Sequence, residues 1–521
     1  MNKQTSAFCV LALFLLSAVL NYAVHFDYPL PIHSDEYDHL AIISEMQRTH
    51  AHVWYDPYLV TSRHAQRNLE INYDVFLFLF ADLTGLPLEH IPLVLPILFT
   101  FMLSLSSFVL VYFLTKRDLA AFFGGVFALF LPNSIAFLGY WFLVPMALGL
   151  AALPLMAYAF LRSFRSWAYT LALYLFIVAL TLTHAVYTVA LLPVFVFFML
   201  LSFREFERRE NLLKLALGAL ILLGLTSFFV AWKPENLIET ALLILYMMVW
   251  AYGKYTPDYP LNEYIGYVLG SLALAGVLYL LLPAFNRRFR SVATRFRVFE
   301  SVRPSGEAQF LLPLLALTLL AVRLYADIGG VCLLGPCRRT VPALALTALL
   351  LAAIGFYSFI AFLNRLLVSV SPRPYRILRA AIFLLVLVFL IHQLSTHPFH
   401  YARDPVRGLY HNIEFDELPA LAWLKARSKP SEVLFALPWT AKAVYLLADR
   451  KVVDTGAARL GAGLHGLQDI VNFFLVDCAA KEATLLRRKS DWVYAGKGYV
   501  DCPSLDQVLS SGGNYVYVKN G

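Results

Sequence analysis

Charge is what this chain has least of. Lysine, arginine, aspartate and glutamate make up 15% of its 521 residues, whereas hydrophobic residues reach 60% and mean hydropathy is +0.66; a soluble domain carries roughly 25% charged and 45–50% apolar residues. That balance excludes a soluble globular protein. Cysteine is scarce too, five in all, too few for a disulfide scaffold. No long-period repeat and no low-complexity stretch is present. The two glycine clusters, Gly456 to Gly466 and Gly512-Gly513, lack the spacing of a dinucleotide fingerprint, so no cofactor is expected there.

What is present is a series of apolar runs, each of a length that crosses a hydrocarbon core, roughly 17–25 residues. They lie near 6–25, 91–114, 119–138, 140–161, 167–183, 185–203, 212–232, 265–285, 309–326, 340–363 and 378–394. The expected fold is an α-helical polytopic membrane protein with about eleven spans. Pro132-Asn133 shortens the third span, and the boundary around Thr183-His184 can be drawn in two ways.

Lysine and arginine in short loops stay on the cytoplasmic side. With the N-terminus inside, the inner segments hold Lys3, Lys116, Arg117, Arg162, Arg165, Arg204, Arg208, Arg209, Lys214, six arginines from Arg287 to Arg303, and Arg365, Arg373, Arg376 and Arg379. The shorter outer connections hold only Lys233, Lys254, Arg338 and Arg339. The net charge of +8 is then a topological signal, and no nucleic-acid partner is implied. The first run, led by Lys3, reads as an uncleaved signal anchor of a multi-pass cell-membrane protein with a cytoplasmic N-terminus.

The division expected is a membrane domain over 1–394, with a long first external loop at 26–90, and a small extracytoplasmic α/β domain over 395–521. In this tail, "EVLFAL", "KVVDT", "DWVYAG" and "NYVYVK" read as strands, and "EFDELPALAWLKAR", "TAKAVYLLAD" and "DIVNFFLVDCAAKEATLLRRK" as helices. Segment 233–264 reads as a re-entrant or interfacial helix, and the inner stretch "NRRFRSVATRFRVF" as a headgroup-facing loop. Four cysteines fall outside; they pair as 332–337 and 478–502 or stay free as small buried hydrophobes.

Against this scarcity of charge, "PIHSDEYDHLAII" at 31–43 sets His33, Asp35, Glu36, Asp38 and His39 within one short stretch. Ser34 is a good N-cap, and the acids that follow suit the positive end of a helix dipole. Tyr37, Leu40, Ala41 and Ser44 then form one face, which predicts an amphipathic helix at the outer membrane surface. Further along the loop, "WYDPYLVTSRHAQRNLEINYD" at 54–74 adds polar residues that read mostly as solvated.

The core of that stretch, "SDEYDHLA" directly after the first span, resembles the acidic first-loop motif of the GT-C superfamily of membrane glycosyltransferases. It is close to the form seen in protein O-mannosyltransferases and aminoarabinose transferases. "LTGLPLEHIPLVLPILFTFMLSLSSFVLVYFLTKR", "TLTHAVYTVALLPVF" and the terminal "DWVYAGKGYVDC" look like later regions of archaeal and bacterial members. The resemblance implies a hexosyl transfer, with inversion, from a polyprenyl-phosphate or dolichyl-phosphate donor to a protein or glycolipid acceptor outside the cytoplasm.

The residues suit that chemistry. An acceptor hydroxyl attacking an anomeric carbon needs a base, and Asp35 is the candidate, with Glu36 sharing the role or orienting the acceptor. The leaving phosphate needs cations, for which the candidates are the pair Arg338-Arg339, then Arg323. Asp38, His39 and His184 are further candidates for lining the substrate site. Asp35 and Asp38 offer oxygen ligands for Mg or Mn. The oligosaccharyltransferase branch, however, carries a second acidic motif in the next external loop, where "NSIAFLGYWFLVP" has no acid, and a Trp-Trp-Asp-Tyr-Gly motif that is missing here. A metal-independent monosaccharide transferase is therefore the expectation. The competing class is a transporter or flippase of lipid-linked sugars, and almost no ionisable residue inside the spans supports it beyond Arg323 and His392.

Overall fold

The computed structural model describes residues 3–26, 28–53, 57, 71–132, 141–181, 183, 210, 213–214, 216–218, 220–221, 224, 261–285, 310–329, 337–368, 372–396, 413–453, 472–498, 500–511 and 513–519. The chain divides into two compact units. One comprises Met1–Tyr22, Pro96–Trp141 and Pro145–Asp404; the other comprises Ala23–Leu95, Phe142–Val144 and Pro405–Gly521.

The first unit is built from apolar helices: α1 (Lys3–His25), α4 (Ile91–Thr115), α5 (Asp118–Ala128), α6 (Pro145–Ser163), α7 (Trp167–Thr181), α8 (Leu261–Phe285), α9 (Leu311–Gly329), α10 (Cys337–Val368) and α11 (Pro372–Thr396). Among the described residues, four stretches are long and apolar enough to cross a membrane: Gln4–His25, Leu88–Thr115, Pro145–Ser163 and Val341–Arg365. Each expected span meets one of these helices except 185–203 and 212–232, which lie wholly or mostly outside the described residues, as does 233–260. Two boundaries are corrected. The helix expected over 119–138 ends at Ala128, ahead of Pro132, and the one expected from 140 begins at Pro145, whose fixed φ and missing N–H suit a first helical position.

Lipid cannot drive apolar helices together, so close backbone approach and polar contacts do this. A Cβ on Gly276 would lie 1.9 Å from the Leu351 carbonyl oxygen, and one on Gly355 would lie 2.0 Å from that of Leu272, so α8 and α10 cross at a contact only glycine permits. Asn21 Nδ2 donates to Thr100 Oγ1 at 2.8 Å, Ser104 Oγ to the Gly125 carbonyl at 3.0 Å, and Ser106 Oγ to that of Ala151 at 3.0 Å. Large apolar side chains such as Phe8, Tyr267 and Phe383 stay exposed, as a membrane environment requires.

The second unit holds a five-stranded mixed sheet in the order β2-β1-β3-β5-β4. β1 (Val433–Ala436) pairs in parallel with β2 (Lys451–Val452) and β3 (Trp492–Gly496); β5 (Asn514–Lys519) runs antiparallel to β3 and to β4 (Leu505–Ser511). Alternate residues of β1 enter different cores. Leu434 and Ala436 join α12 (Leu418–Arg427) and α13 (Pro438–Ala448), whereas Val433 and Phe435 join Phe473 and Leu485, the latter on α14 (Cys478–Arg488). Coverage on both faces explains why "EVLFAL" is apolar at successive positions. Cys478 and Cys502 form the expected disulfide; Cys332 lies outside the described residues.

Two elements of the first loop belong to this same unit: α2 (Ser34–Thr49) and α3 (Ile71–Thr84). Tyr37 and Ala41 of α2 enter the core shared with α12, α13 and the sheet, and Ile42 and Met46 pack with Val53, Val75 and Phe78. α2 is therefore buried on nearly every side, in place of the surface amphipathic helix that its apolar face predicts.

Candidate active site

The first turn of α2 is capped by His33, one residue earlier than expected. His33 is extended (φ −111°, ψ 146°), its Nδ1 accepts from the Asp35 amide at 3.1 Å, and Glu36 Oε2 accepts from the His33 amide at 2.8 Å. This reciprocal pair is a capping box with histidine in the place of serine. Ser34 is the first helical residue.

Glu36 has no exposed surface, and its second oxygen accepts from the Leu143 amide at 2.7 Å. Burial pushes its carboxyl up to about 7, against the amides at His33 and Leu143 that favour the ionised form. Its task in this geometry is to fasten the start of α2 to the 142–144 segment. Asp38, one turn in, is 1% exposed and is hydrogen-bonded through Oδ2 to the ammonium of Lys442, itself 1% exposed. Lys442 Nζ also lies 3.3 Å from Asp35 Oδ1. Asp35 keeps 34% of its side chain exposed, the most accessible of the three acids in this turn. His39 is buried, with Nδ1 at 2.6 Å from Asp74 Oδ1 and its ring edge-on to Tyr73 at 4.8 Å. Asp74, expected among solvated loop residues, is thus the buried partner that ties α3 to α2.

Further along α2, Tyr445 donates to Glu45 Oε2 at 3.2 Å, and Arg48 grips the same carboxylate at 2.8 and 2.7 Å. Burial, then the Glu45 charge, holds the Tyr445 phenol well above its ordinary value, so it remains a donor. Helix α13 therefore meets the acidic face of α2 at two points, Lys442 and Tyr445. Neither was legible as a site residue, although a lysine flanked by Ala441, Ala443 and Val444 is an anomaly in a helix of buried residues.

The remaining candidates are Arg323, Arg338, Arg339 and His184. Arg323 is 8% exposed on α9, with Nε at 3.2 Å from Asp327 Oδ2 one turn on. Arg338 and Arg339 lie in the first turn of α10, their side chains outside the described residues, and His184 also lies outside them. As to metal, the two carboxylates weighed as ligands, Asp35 and Asp38, share the ammonium of Lys442. One other cluster among the described residues has ligand spacing, Cys478, Glu482 and Cys502, but the disulfide consumes both thiolates.

No family model matches the sequence, and no curated protein matches it. Solved structures do match. The chain is similar to the archaeal oligosaccharyltransferase AglB from Archaeoglobus fulgidus, in complex with an inhibitory peptide and a dolichol-phosphate (TM-score 0.57, 13% identity, 94% of this chain and 70% of that one). It is also similar to ArnT from Cupriavidus metallidurans bound to undecaprenyl phosphate (TM-score 0.57, 13% identity, 97% of each chain). A third likeness is to the arabinofuranosyltransferase AftD from Mycobacteria (TM-score 0.56, 14% identity, 98% of this chain and 40% of that one). Identities this low show the fold alone, and the fold is the one that the GT-C resemblance implies.

Proposed function

We propose that this chain is an inverting membrane glycosyltransferase that passes a sugar from a polyprenyl-phosphate or dolichyl-phosphate donor to a protein or glycolipid acceptor on the extracytoplasmic side, with Asp35 as general base. The observation that carries this reading is the division of labour in one helical turn. Glu36 and Asp38 are buried and bound into the structure, whereas Asp35 remains accessible to a substrate. The likeness to folds solved with dolichol-phosphate and undecaprenyl phosphate supports the class of donor.

The step requires a bond from the acceptor oxygen to the anomeric carbon as the bond from that carbon to the phosphate oxygen breaks. Asp35 takes the acceptor proton, and the lipid phosphate leaves with its own charge. General-base removal typically costs 10²–10⁴-fold. Arg338 and Arg339, then Arg323, are the candidates for meeting the phosphate charge, and His184 is a further candidate for the substrate site. Glu36 and His39 position α2, through Leu143 and Asp74.

Membranes carrying Asp35→Asn, supplied with a radiolabelled polyprenyl-phosphate sugar, are expected to lose transfer at unchanged protein level. Retained transfer overturns the assignment. A flippase would instead move labelled lipid across liposomes with no glycosylated product.

A further inference from the structure

Two carboxylates three residues apart on one helix, Asp35 and the buried Asp38, invite a divalent cation, and among the folds similar to this one the Archaeoglobus oligosaccharyltransferase has been solved in complex with Zn and sulfate. The residues here do not fit such an ion. Hard cations sit at about 2.0–2.6 Å from carboxylate oxygens. An ion that bridged Asp35 and Asp38 would have to enter the volume that Lys442 Nζ fills, bonded to Asp38 Oδ2 and 3.3 Å from Asp35 Oδ1. The ammonium cannot simply swing into solvent, because its side chain is 1% exposed and its helix is fixed in the core through Ala441, Ala443 and Val444. The same helix is fastened to α2 again at Tyr445 and Glu45.

We propose that Lys442 is a positioning residue that acts as a built-in cation for the acidic turn, in the place of an exchangeable metal. The inference rests on reading Asp35 as the base. A single positive charge bonded chiefly to Asp38 compensates the buried carboxylate and holds Asp35 in orientation. It leaves Asp35 with a third of its side chain exposed toward an acceptor. A divalent ion bound directly to Asp35 would withdraw electron density from the group that must take a proton. A lysine held at 3.3 Å fixes the orientation of the base without occupying it as a bound ion would.

The test uses the full chain in nanodiscs, with transfer rate and Mn2+ stoichiometry, read by electron paramagnetic resonance, as separate measurements. Wild type washed with EDTA is expected to keep its rate. Lys442→Ala is expected to lose about 100-fold in kcat with KM for the donor little changed, and to bind one more Mn2+ per chain than wild type. Because the alanine leaves Asp38 buried and uncompensated, the neutral pair Lys442→Met with Asp38→Asn controls for folding. A structural role alone predicts that this double variant transfers normally; a positioning role predicts that it stays as slow as Lys442→Ala, and that Lys442→Arg recovers part of the rate. The proposal is overturned by a wild-type rate that falls with EDTA and returns with Mn2+, by a double variant as fast as wild type, or by equal Mn2+ stoichiometry in wild type and Lys442→Ala. Should Asp35→Asn keep full transfer, the general-base reading fails on its own, while Mn2+ binding still reports on Lys442.

Discussion

Replacing Glu36 by glutamine changes the pH dependence of stability in a direction fixed by burial. The carboxyl is held at about 7 in the folded chain, raised from 4.5 by burial first and by the Asp35 charge last, with the amides at His33 and Leu143 opposing. A carboxyl raised on folding contributes stability that is fully present below its unfolded value, and that contribution is lost as pH rises through the folded value. The rise from 4.5 to about 7 corresponds to about 3 kcal/mol, lost between roughly pH 4.5 and pH 7. Glutamine has no charge to desolvate, but its side-chain nitrogen cannot accept from one of the two backbone amides that Glu36 satisfies, a loss of about 1–3 kcal/mol at either pH. Glu36→Gln is therefore expected to melt below wild type at pH 4.5, and that gap to close or reverse at pH 8. A domain of 150–250 residues shifts about 2–4 °C per kcal/mol. Scanning fluorimetry at the two pH values in one detergent reads this difference directly. A gap between variant and wild type that is as wide or wider at pH 8 than at pH 4.5 refutes the reasoning, because the carboxylate would then gain at least as much from its two amides as it loses by burial.

Three further outcomes can be checked on the same preparation. Reduction of Cys478–Cys502, or Cys502→Ser, is expected to destabilise the sheet-bearing unit by about 3 kcal/mol, as a closed loop of this size implies; an unchanged melt with dithiothreitol contradicts it. Gly355→Ala should abolish the monodisperse peak in fluorescence-detected size exclusion, since the added methyl would lie 2.0 Å from the Leu272 carbonyl oxygen, while Gly270→Ala, with open space around it, should not. Asp74→Ala should destabilise the chain by a few kcal/mol by removing the buried hydrogen-bond partner of His39, and His39→Ala on that background should cost little more.

Much of this architecture is written locally. Apolar run length placed the helices of the first unit, and strand patterning placed four of the five strands, because each signal lies within the residues it describes. β4 was missed for a physical reason. It is an edge strand with Leu505 buried and Asp506, Gln507 and Val508 exposed, so its sequence reads as polar loop. The cap was misplaced by a residue, although Glu36 three positions after His33 is the spacing of a capping box. The acidic turn was legible as a site because charge is so rare around it. Its partners were not: Lys442 lies 404 positions from Asp38, and Tyr445 lies 400 from Glu45. No periodicity spans such a distance.

That distance also bears on when the site comes into being. Ribosomes add about 5–20 residues per second, so α2 emerges and then waits of the order of 20–80 s before the helix bearing Lys442 and Tyr445 is synthesised. During that interval Asp38 and Glu45 lack the donors that α13 brings. A nascent chain stalled before residue 442 would carry the whole acidic motif yet have no finished site, so assembly of the acidic turn reports that translation has passed that point.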